Sequence, residues 1–138
     1  MSTLLQWNAR SIVSNLSELQ RFLSQQALLP DVICIQESWL NKMVTNFKVD
    51  GYHIERVDRD PGLGGGLATF IRAGISYVRL PNPTALEALV IQVKFKTTNV
   101  TIVNTYHSPN APLEEEQYRL LFQNYSRISV EMPSFSGI

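Results

Sequence analysis

Two polar residues stand at the ends of predicted strands, where side chains from neighbouring strands can meet. Asn8 closes the apolar-rich run TLLQWN, and Glu37 follows the run DVICIQ. Open α/β sheets bind ligands beyond the carboxyl ends of their strands. An amide and a carboxylate at such an edge suit a hard cation such as Mg²⁺, which prefers oxygen ligands. Taken singly, an Asn at this position is more often a turn residue, and a Glu at a strand end is usually the first solvated residue.

A second polar pair, Tyr106 and His107, follows the predicted strand VTIVNTY. A tyrosine there could donate a hydrogen bond to a phosphate oxygen, and a histidine could shuttle protons. An amphipathic tyrosine at the rim of a sheet is as good an explanation of Tyr106. The pattern favours a solvated loop residue for His107 and an outward strand residue for His53.

The stretch between the first two polar residues predicts a βαβ unit. In residues 15–30, apolar side chains recur at helical spacing, at Leu16, Leu19 and Leu23. Asn15 and Glu18 have the spacing of a capping box, and Pro30 ends the helix. Residues 31–36 are apolar and β-branched, which is typical of a strand buried on both faces. The two strands are therefore expected to be parallel neighbours.

The rest of the chain predicts further strands and a helix. Short β-like runs occupy residues 51–57, 65–72 and 75–80. Residues 86–96 alternate, with Leu89, Ile91, Val93 and Phe95 on one face, and residues 100–106 return as the partner of a hairpin. Residues 108–125 predict a helix with Pro112 in its first turn. Residues 129–138 show no clear pattern.

The glycine run in PGLGGGLATF, residues 61–70, lacks the G-x-G-x-x-G spacing and leads into a strand. These features argue against a dinucleotide-binding loop. They favour a mobile turn whose backbone packs closely against its neighbours.

Composition limits the class of protein. The chain has 138 residues, enough for one domain, and its 12 basic and 12 acidic residues give no net charge. Strong non-specific binding to nucleic acid is therefore not implied, although a recruited cation can hold a phosphate without a basic surface. The single cysteine, Cys34, lies in an apolar run and is expected to be a buried thiol. The lack of a signal peptide or membrane-spanning stretch favours an intracellular protein.

Five stretches carry a family resemblance when they are taken together: LLQWNARSI, PDVICIQESWL, GYHIERVDR, GGGLATFIR and VNTYHSPNAP. Their residues and their order along the chain resemble the endonuclease/exonuclease/phosphatase superfamily, related to DNase I and the apurinic-site endonucleases. The most similar branch is the N-terminal endonuclease domain of non-LTR retrotransposon polyproteins. The resemblance implies an α/β fold, the N-terminal portion of a DNase I-like four-layer sandwich with a mixed sheet and flanking helices.

The resemblance also implies roles for single residues. Asn8 would help to organise the metal and phosphate site, and Glu37 would bind the divalent cation, Mg²⁺ or Mn²⁺. Tyr106 would contact the scissile phosphate, and Arg72 would lie near the bound nucleic acid. The implied partner is the phosphate backbone of DNA, and the implied location is the nucleus.

The later motifs of the family are missing from the sequence. No Asp follows Asp60 and no His follows His107, whereas the family supplies a Gly-Asp-x-Asn strand, a further aspartate and an Asp-His pair. Residues 1–123 are therefore expected to be a truncated domain with roughly one of the two sheets, and residues 124–138 a divergent tail. The uncovered face of residues 89–95 would promote self-association, the cation would bind weakly, and activity would be slight or absent.

Two other functions remain open. One is a superfamily phosphatase or lipid phosphodiesterase, although WNARSI and YHSPN favour the retrotransposon branch. The other is a non-catalytic remnant that binds nucleic acid or another protein.

Overall fold

The computed structural model describes residues 3–60, 62, 64–107, 114–125 and 129–132, the last of these by their backbone alone. These residues form eight strands and two helices. The elements are β1 (Leu4–Asn8), α1 (Leu16–Ser24), β2 (Val32–Gln36), β3 (Tyr52–Val57), β4 (Leu67–Arg72), β5 (Ser76–Leu80), β6 (Ala88–Lys94), β7 (Asn99–Thr105), α2 (Glu115–Asn124) and β8 (Ser129–Met132).

The strands form two four-stranded sheets. The first has the order β1-β2-β4-β3 and the second the order β5-β6-β7-β8. Strands β1 and β2 are parallel, which confirms the predicted βαβ unit. Strands β6 and β7 pair antiparallel, which confirms the predicted hairpin. Strand β8 runs parallel to β7 and lies in the stretch that showed no pattern in the sequence.

The two sheets pack face to face, with one described helix on each outer side. Apolar side chains of both sheets form the central layer: Val32, Cys34 and Ile71 from the first, and Ile91, Val93 and Ile102 from the second. Helix α1 covers the first sheet with Leu19 and Leu23. Helix α2 covers the second sheet with Leu121. This is the four-layer arrangement that the family resemblance implies.

The prediction of roughly one sheet with an uncovered inner face is wrong. Leu89 and Ile91 are 1% exposed, and Val93 is fully buried. The reason is that β3 and β4 pair with β2, so the first half of the chain completes a sheet of its own. That sheet covers the alternating strand β6. The exposed sheet face expected to promote self-association is therefore absent from the described residues.

The capping box predicted at Asn15 and Glu18 does not form. Asn15 makes no side-chain capping bond to helix α1. Its Nδ2 instead donates to the carbonyls of Ala9, at 2.8 Å, and Ser11, at 3.1 Å. Asn15 thereby ties the start of the helix to the turn that follows β1. Neither described helix is long and apolar enough to cross a membrane.

Candidate active site

Asn8 and Glu37 lie side by side at the carboxyl edge of the first sheet. Asn8 pairs with Gln36 in the parallel register of β1 and β2. Beyond the strands, the Ala9 N–H donates to the Gln36 carbonyl and the Ser11 N–H to the Glu37 carbonyl, both at 2.9 Å. The backbone thus holds the amide and the carboxylate at one edge, as the βαβ unit predicts.

A buried amide pair brings the second sheet to the same edge. Gln36 Nε2 donates to Asn104 Oδ1 at 2.7 Å, and neither residue is exposed. Asn104 Nδ2 donates to the carbonyls of Ile35, at 3.2 Å, and Ala68, at 3.1 Å. Gln36 directly precedes Glu37 and Asn104 lies two positions before Tyr106, so this bridge fixes the two sheet ends against each other.

Tyr106 leaves β7 half-buried, with its N–H donating to the Glu87 carbonyl at 3.3 Å. Burial raises the pKa of its hydroxyl, and the negative charge of Glu37 raises that pKa further, while Arg59 opposes the shift. The hydroxyl therefore stays protonated at neutral pH and can donate a hydrogen bond. Tyr106 therefore lies within electrostatic range of Glu37.

Unusual backbone geometry is concentrated on the two turns of this edge. The non-glycine residues with positive φ in the described part of the chain are Arg10 (46°), Ser11 (82°), Glu37 (51°) and Trp39 (55°). Such conformations cost energy in residues with a Cβ atom and are common at functional sites. Arg10 and Ser11 lie in the turn that follows Asn8, and the other two positions are Glu37 itself and Trp39. Nothing in the sequence marks these four residues as having a positive φ.

The Asn8 side chain leaves one polar atom without a partner. Among the described residues, Asn8 Oδ1 is buried and accepts no hydrogen bond. A buried acceptor of this kind, at the same edge of the sheet as Glu37, fits a hard cation such as Mg²⁺. The described residues contain no group of three or more His, Cys, Asp or Glu side chains that could hold a metal. Water would therefore have to supply most of the remaining ligands.

Arg72 is not brought to the other predicted site residues. Strand β4 runs antiparallel to β2, so Arg72 lies at the opposite edge of the sheet from Glu37. Its Nη2 contacts Asp31 Oδ1 at 2.7 Å in an ion pair. His107 stays beside Tyr106, with its ring 6.5 Å from that of Tyr118. Residues 108–113 of the helix predicted over 108–125 lie outside the described residues, and the described helix begins at Glu115.

Sequence patterns missed an ion pair that lines the same cleft as Tyr106. Arg59 Nε contacts Glu87 Oε2 at 2.6 Å, and Glu87 Oε1 accepts a hydrogen bond from the Gly66 N–H at 3.2 Å. These residues are too far apart in the chain for spacing to reveal them. The close backbone packing predicted for the glycine run is present at Gly66, where an added Cβ would lie 2.7 Å from Ser38 Oγ.

Comparison with known proteins gives a family match and several structural likenesses. Residues 5–132 match the model of the endonuclease/exonuclease/phosphatase family. The endonuclease domain of TRAS1, a telomere-specific non-LTR retrotransposon, is similar to the chain with a TM-score of 0.72 and 16% identity, over 96% of this chain and 58% of that domain. No curated protein matches the sequence.

Two further solved structures are similar. One is the AP endonuclease LMAP from Leishmania major, with a TM-score of 0.61 and 21% identity over 90% of this chain and 45% of that one. The other is the 3′ phosphatase NExo from Neisseria bound to a product DNA hairpin, with a TM-score of 0.61 and 17% identity over 98% and 58%. These likenesses confirm the predicted DNase I-like α/β fold. The chain spans 45% to 58% of the length of these structures.

Proposed function

Because the chain belongs to the endonuclease/exonuclease/phosphatase family, we propose that it supplies the N-terminal part of a metal-dependent DNA endonuclease of the retrotransposon type. The reaction would be hydrolysis of a phosphodiester bond, and the nuclear location that the family resemblance implies stays a prediction. One observation carries the proposal: Asn8 Oδ1 is buried without a partner at the sheet edge where β2 leads into Glu37. The electrostatic effect of Glu37 on Tyr106 supports a site that includes all three residues.

Each of these three residues has a part in the proposed chemistry. Asn8 Oδ1 and the Glu37 carboxylate would hold Mg²⁺ or Mn²⁺, which as a Lewis acid polarises a phosphoryl oxygen. The protonated Tyr106 hydroxyl would donate to a non-bridging phosphate oxygen and orient the scissile group. The narrow, strained turns after β1 and β2 keep the amide and the carboxylate in place.

The catalytic side chains present in the sequence predict little activity from these 138 residues alone. A general base typically contributes about 10²–10⁴-fold to the rate. The sequence has no Asp after Asp60 and no His after His107, so these residues lack the base and the further carboxylate that the family resemblance implies. With one carboxylate and one amide, the cation would also bind weakly.

Two alternatives are weaker. A superfamily phosphatase or lipid phosphodiesterase is less favoured because the stretches WNARSI and YHSPN resemble the retrotransposon branch of the family. A module that only binds nucleic acid is disfavoured by the zero net charge, because such binding depends on neutralised phosphates.

A plasmid-nicking assay with Mg²⁺ tests the proposal. The assay compares the chain with a version extended by the C-terminal half of the TRAS1 endonuclease domain. We expect only the extended protein to nick, and Glu37→Ala to abolish nicking. Glu18→Ala, on the exposed side of helix α1, is the matched control and should nick normally.

Other results would count against specific parts of the proposal. Nicking by the short chain would show that the missing base is dispensable. Failure of both proteins to nick would remove the main support for an endonuclease. Release of phosphate from a 3′-phosphorylated oligonucleotide without nicking would favour the phosphatase.

A further inference from the structure

We propose that Arg59 binds a backbone phosphate of the nucleic acid and that Glu87 positions its guanidinium for this contact. The inference rests on the proposed function, because it adds a contact to the same substrate. It concerns a pair that the predicted site did not include and that lies next to Tyr106.

Arg59 is held by one edge of its guanidinium. Its Nε contacts Glu87 Oε2 at 2.6 Å, with 36% of the Arg59 side chain and 14% of the Glu87 side chain exposed. Across the part of the chain that the structure describes, Nε provides the side-chain hydrogen bond of Arg59 and its Nη atoms make none. Arginine can bind a carboxylate with one edge and a phosphate with the remaining donors.

The glycine run fixes the same pair from the opposite side. Glu87 Oε1 accepts a hydrogen bond from the Gly66 N–H at 3.2 Å. A Cβ atom added to Gly65 would lie 2.2 Å from Arg59 Cζ. The guanidinium therefore rests directly on the loop backbone, and both carboxylate oxygens of Glu87 are engaged. An arginine held in this way loses little further freedom when it binds a ligand.

The pair opens into a cleft that already contains the proposed phosphate donor. Arg59, Glu87, Tyr106, His107 and Glu114 are among the residues that line this cleft of about 430 Å³. The positive charge of Arg59 acts on the Tyr106 hydroxyl. A cationic group and a neutral hydroxyl donor on one cleft suit an anion with several oxygens, as in a phosphodiester. Glu87 offsets part of the positive charge of Arg59. The contribution of Glu87 is therefore to orient the guanidinium, not to increase its attraction for the phosphate.

Titration of a fluorescein-labelled DNA duplex, followed by anisotropy at several salt concentrations, tests the contact to phosphate. Arg59→Ala should weaken binding about tenfold, the effect of one lost charge-assisted hydrogen bond. The slope of log K against log salt should fall by about 1. Arg79→Ala is the matched control, since Arg79 is 44% exposed and forms an ion pair with Glu55 at 3.4 Å. Arg79→Ala should keep the salt slope of the unmodified chain.

Two further variants separate positioning from folding. Arg59→Lys keeps the charge but cannot bind Glu87 and a phosphate with separate edges, so it should bind several-fold more weakly than the unmodified chain. Glu87→Gln and Glu55→Gln each remove one negative charge. Charge alone should make both bind DNA more tightly, whereas loss of positioning should make Glu87→Gln bind more weakly and with a reduced salt slope.

The outcomes are distinct. Weakening by Arg59→Ala and Glu87→Gln, but not by their controls, supports the inference. If the unmodified chain binds DNA and Arg59→Ala behaves like Arg79→Ala, Arg59 has no special role, and the proposed function stands. Absence of DNA binding by the unmodified chain at low salt would overturn the inference, and the nicking assay of the extended protein would then decide the DNA substrate separately.

Discussion

Asn8 Oδ1 is a buried acceptor that no donor in the described residues reaches, in a side chain only 9% exposed. An unsatisfied buried polar atom costs about 1–3 kcal/mol. At the same edge, Glu37 adopts a φ of 51°. Functional sites commonly retain such unfavourable features because activity requires them. The proposed cation would give the Asn8 oxygen the partner that the protein does not provide.

This account predicts that Asn8 contributes little to stability in metal-free buffer. Asn8→Ala removes the unpartnered oxygen, so the free energy of unfolding should change by less than about 1 kcal/mol or should rise. Asn104→Ala is the comparison, because Asn104 is also buried but makes four hydrogen bonds to described residues. It should cost about 3 kcal/mol or more.

Urea unfolding in the presence of EDTA measures both variants. A large loss of stability in Asn8→Ala would show that the amide is structural, and would remove the main observation behind the proposed cation site.

Single residues could be predicted from sequence only where their neighbours along the chain were informative. Asn8 and Glu37 follow recognisable strands, so their meeting at one edge was predictable. The positive φ values of Ser11 and Trp39 were not, because these residue types normally avoid that region. The Arg59–Glu87 ion pair spans 28 positions and depends on how β3 and β6 are placed in different sheets.

At the scale of elements, the glycine run determines how β4 enters the first sheet. Gly66 has a φ of 85°, and an added Cβ would lie 2.7 Å from Ser38 Oγ and 3.3 Å from the Val57 carbonyl oxygen. Gly62 has a φ of 86° but has no atom within 4 Å of an added Cβ. Both positions therefore have a positive φ that favours glycine, but only Gly66 is closely surrounded by other atoms.

The comparison gives a specific prediction. Gly62→Ala should lower the free energy of unfolding by about 1 kcal/mol, the cost of a left-handed conformation in a residue with a Cβ atom. Gly66→Ala should lower it by an additional 1–3 kcal/mol or so, because the added atom also overpacks the site. Urea unfolding of the two variants measures the difference. Equal losses would show that Ser38 and Val57 move aside readily.

Most elements were predictable because local composition and local structure agree. Strands β2 and β6 are rich in apolar residues, and both form where expected. Helix α1 begins at Leu16 as predicted but ends at Ser24, well before Pro30. Strand β8 could not be predicted, because its four residues form a strand by pairing with the edge of β7, a contact distant in sequence. The division of the chain at residue 123 stays a prediction.

At the scale of the whole molecule, alternation in β6 predicted a buried face but not what buries it. Ile91 and Val93 pack against Val32, Cys34 and Ile71 of the other sheet. Pairing of distant strands decides such packing, and no window of sequence contains that information. The consequence is a core between the sheets that includes the thiol of Cys34.

That buried thiol predicts a loss of stability in alkali. Burial raises the pKa of Cys34 from 9.0 to about 12, against a smaller opposing effect of the hydrogen bond to Thr69. Above pH 9 the unfolded chain releases the thiol proton while the folded chain retains it. Stability therefore falls as pH rises from 9 towards 12, by up to about 1.4 kcal/mol per pH unit from this group.

Urea unfolding at pH 8, 9 and 10 tests this linkage. The free energy of unfolding of the unmodified chain should decline more steeply above pH 9 than that of Cys34→Ala, which lacks the thiol. Parallel declines in the two proteins would mean that the thiol ionises equally in both states.

The most direct test of the central claim is paramagnetic broadening by Mn²⁺ in ¹H–¹⁵N spectra of this chain. The account predicts that the amide signals of Asn8 and Glu37 broaden first, that excess Mg²⁺ restores them, and that Glu37→Ala abolishes the effect. Broadening that centres on other carboxylates, such as the exposed Glu115 and Glu116, or that persists in Glu37→Ala, would contradict a cation site at this edge.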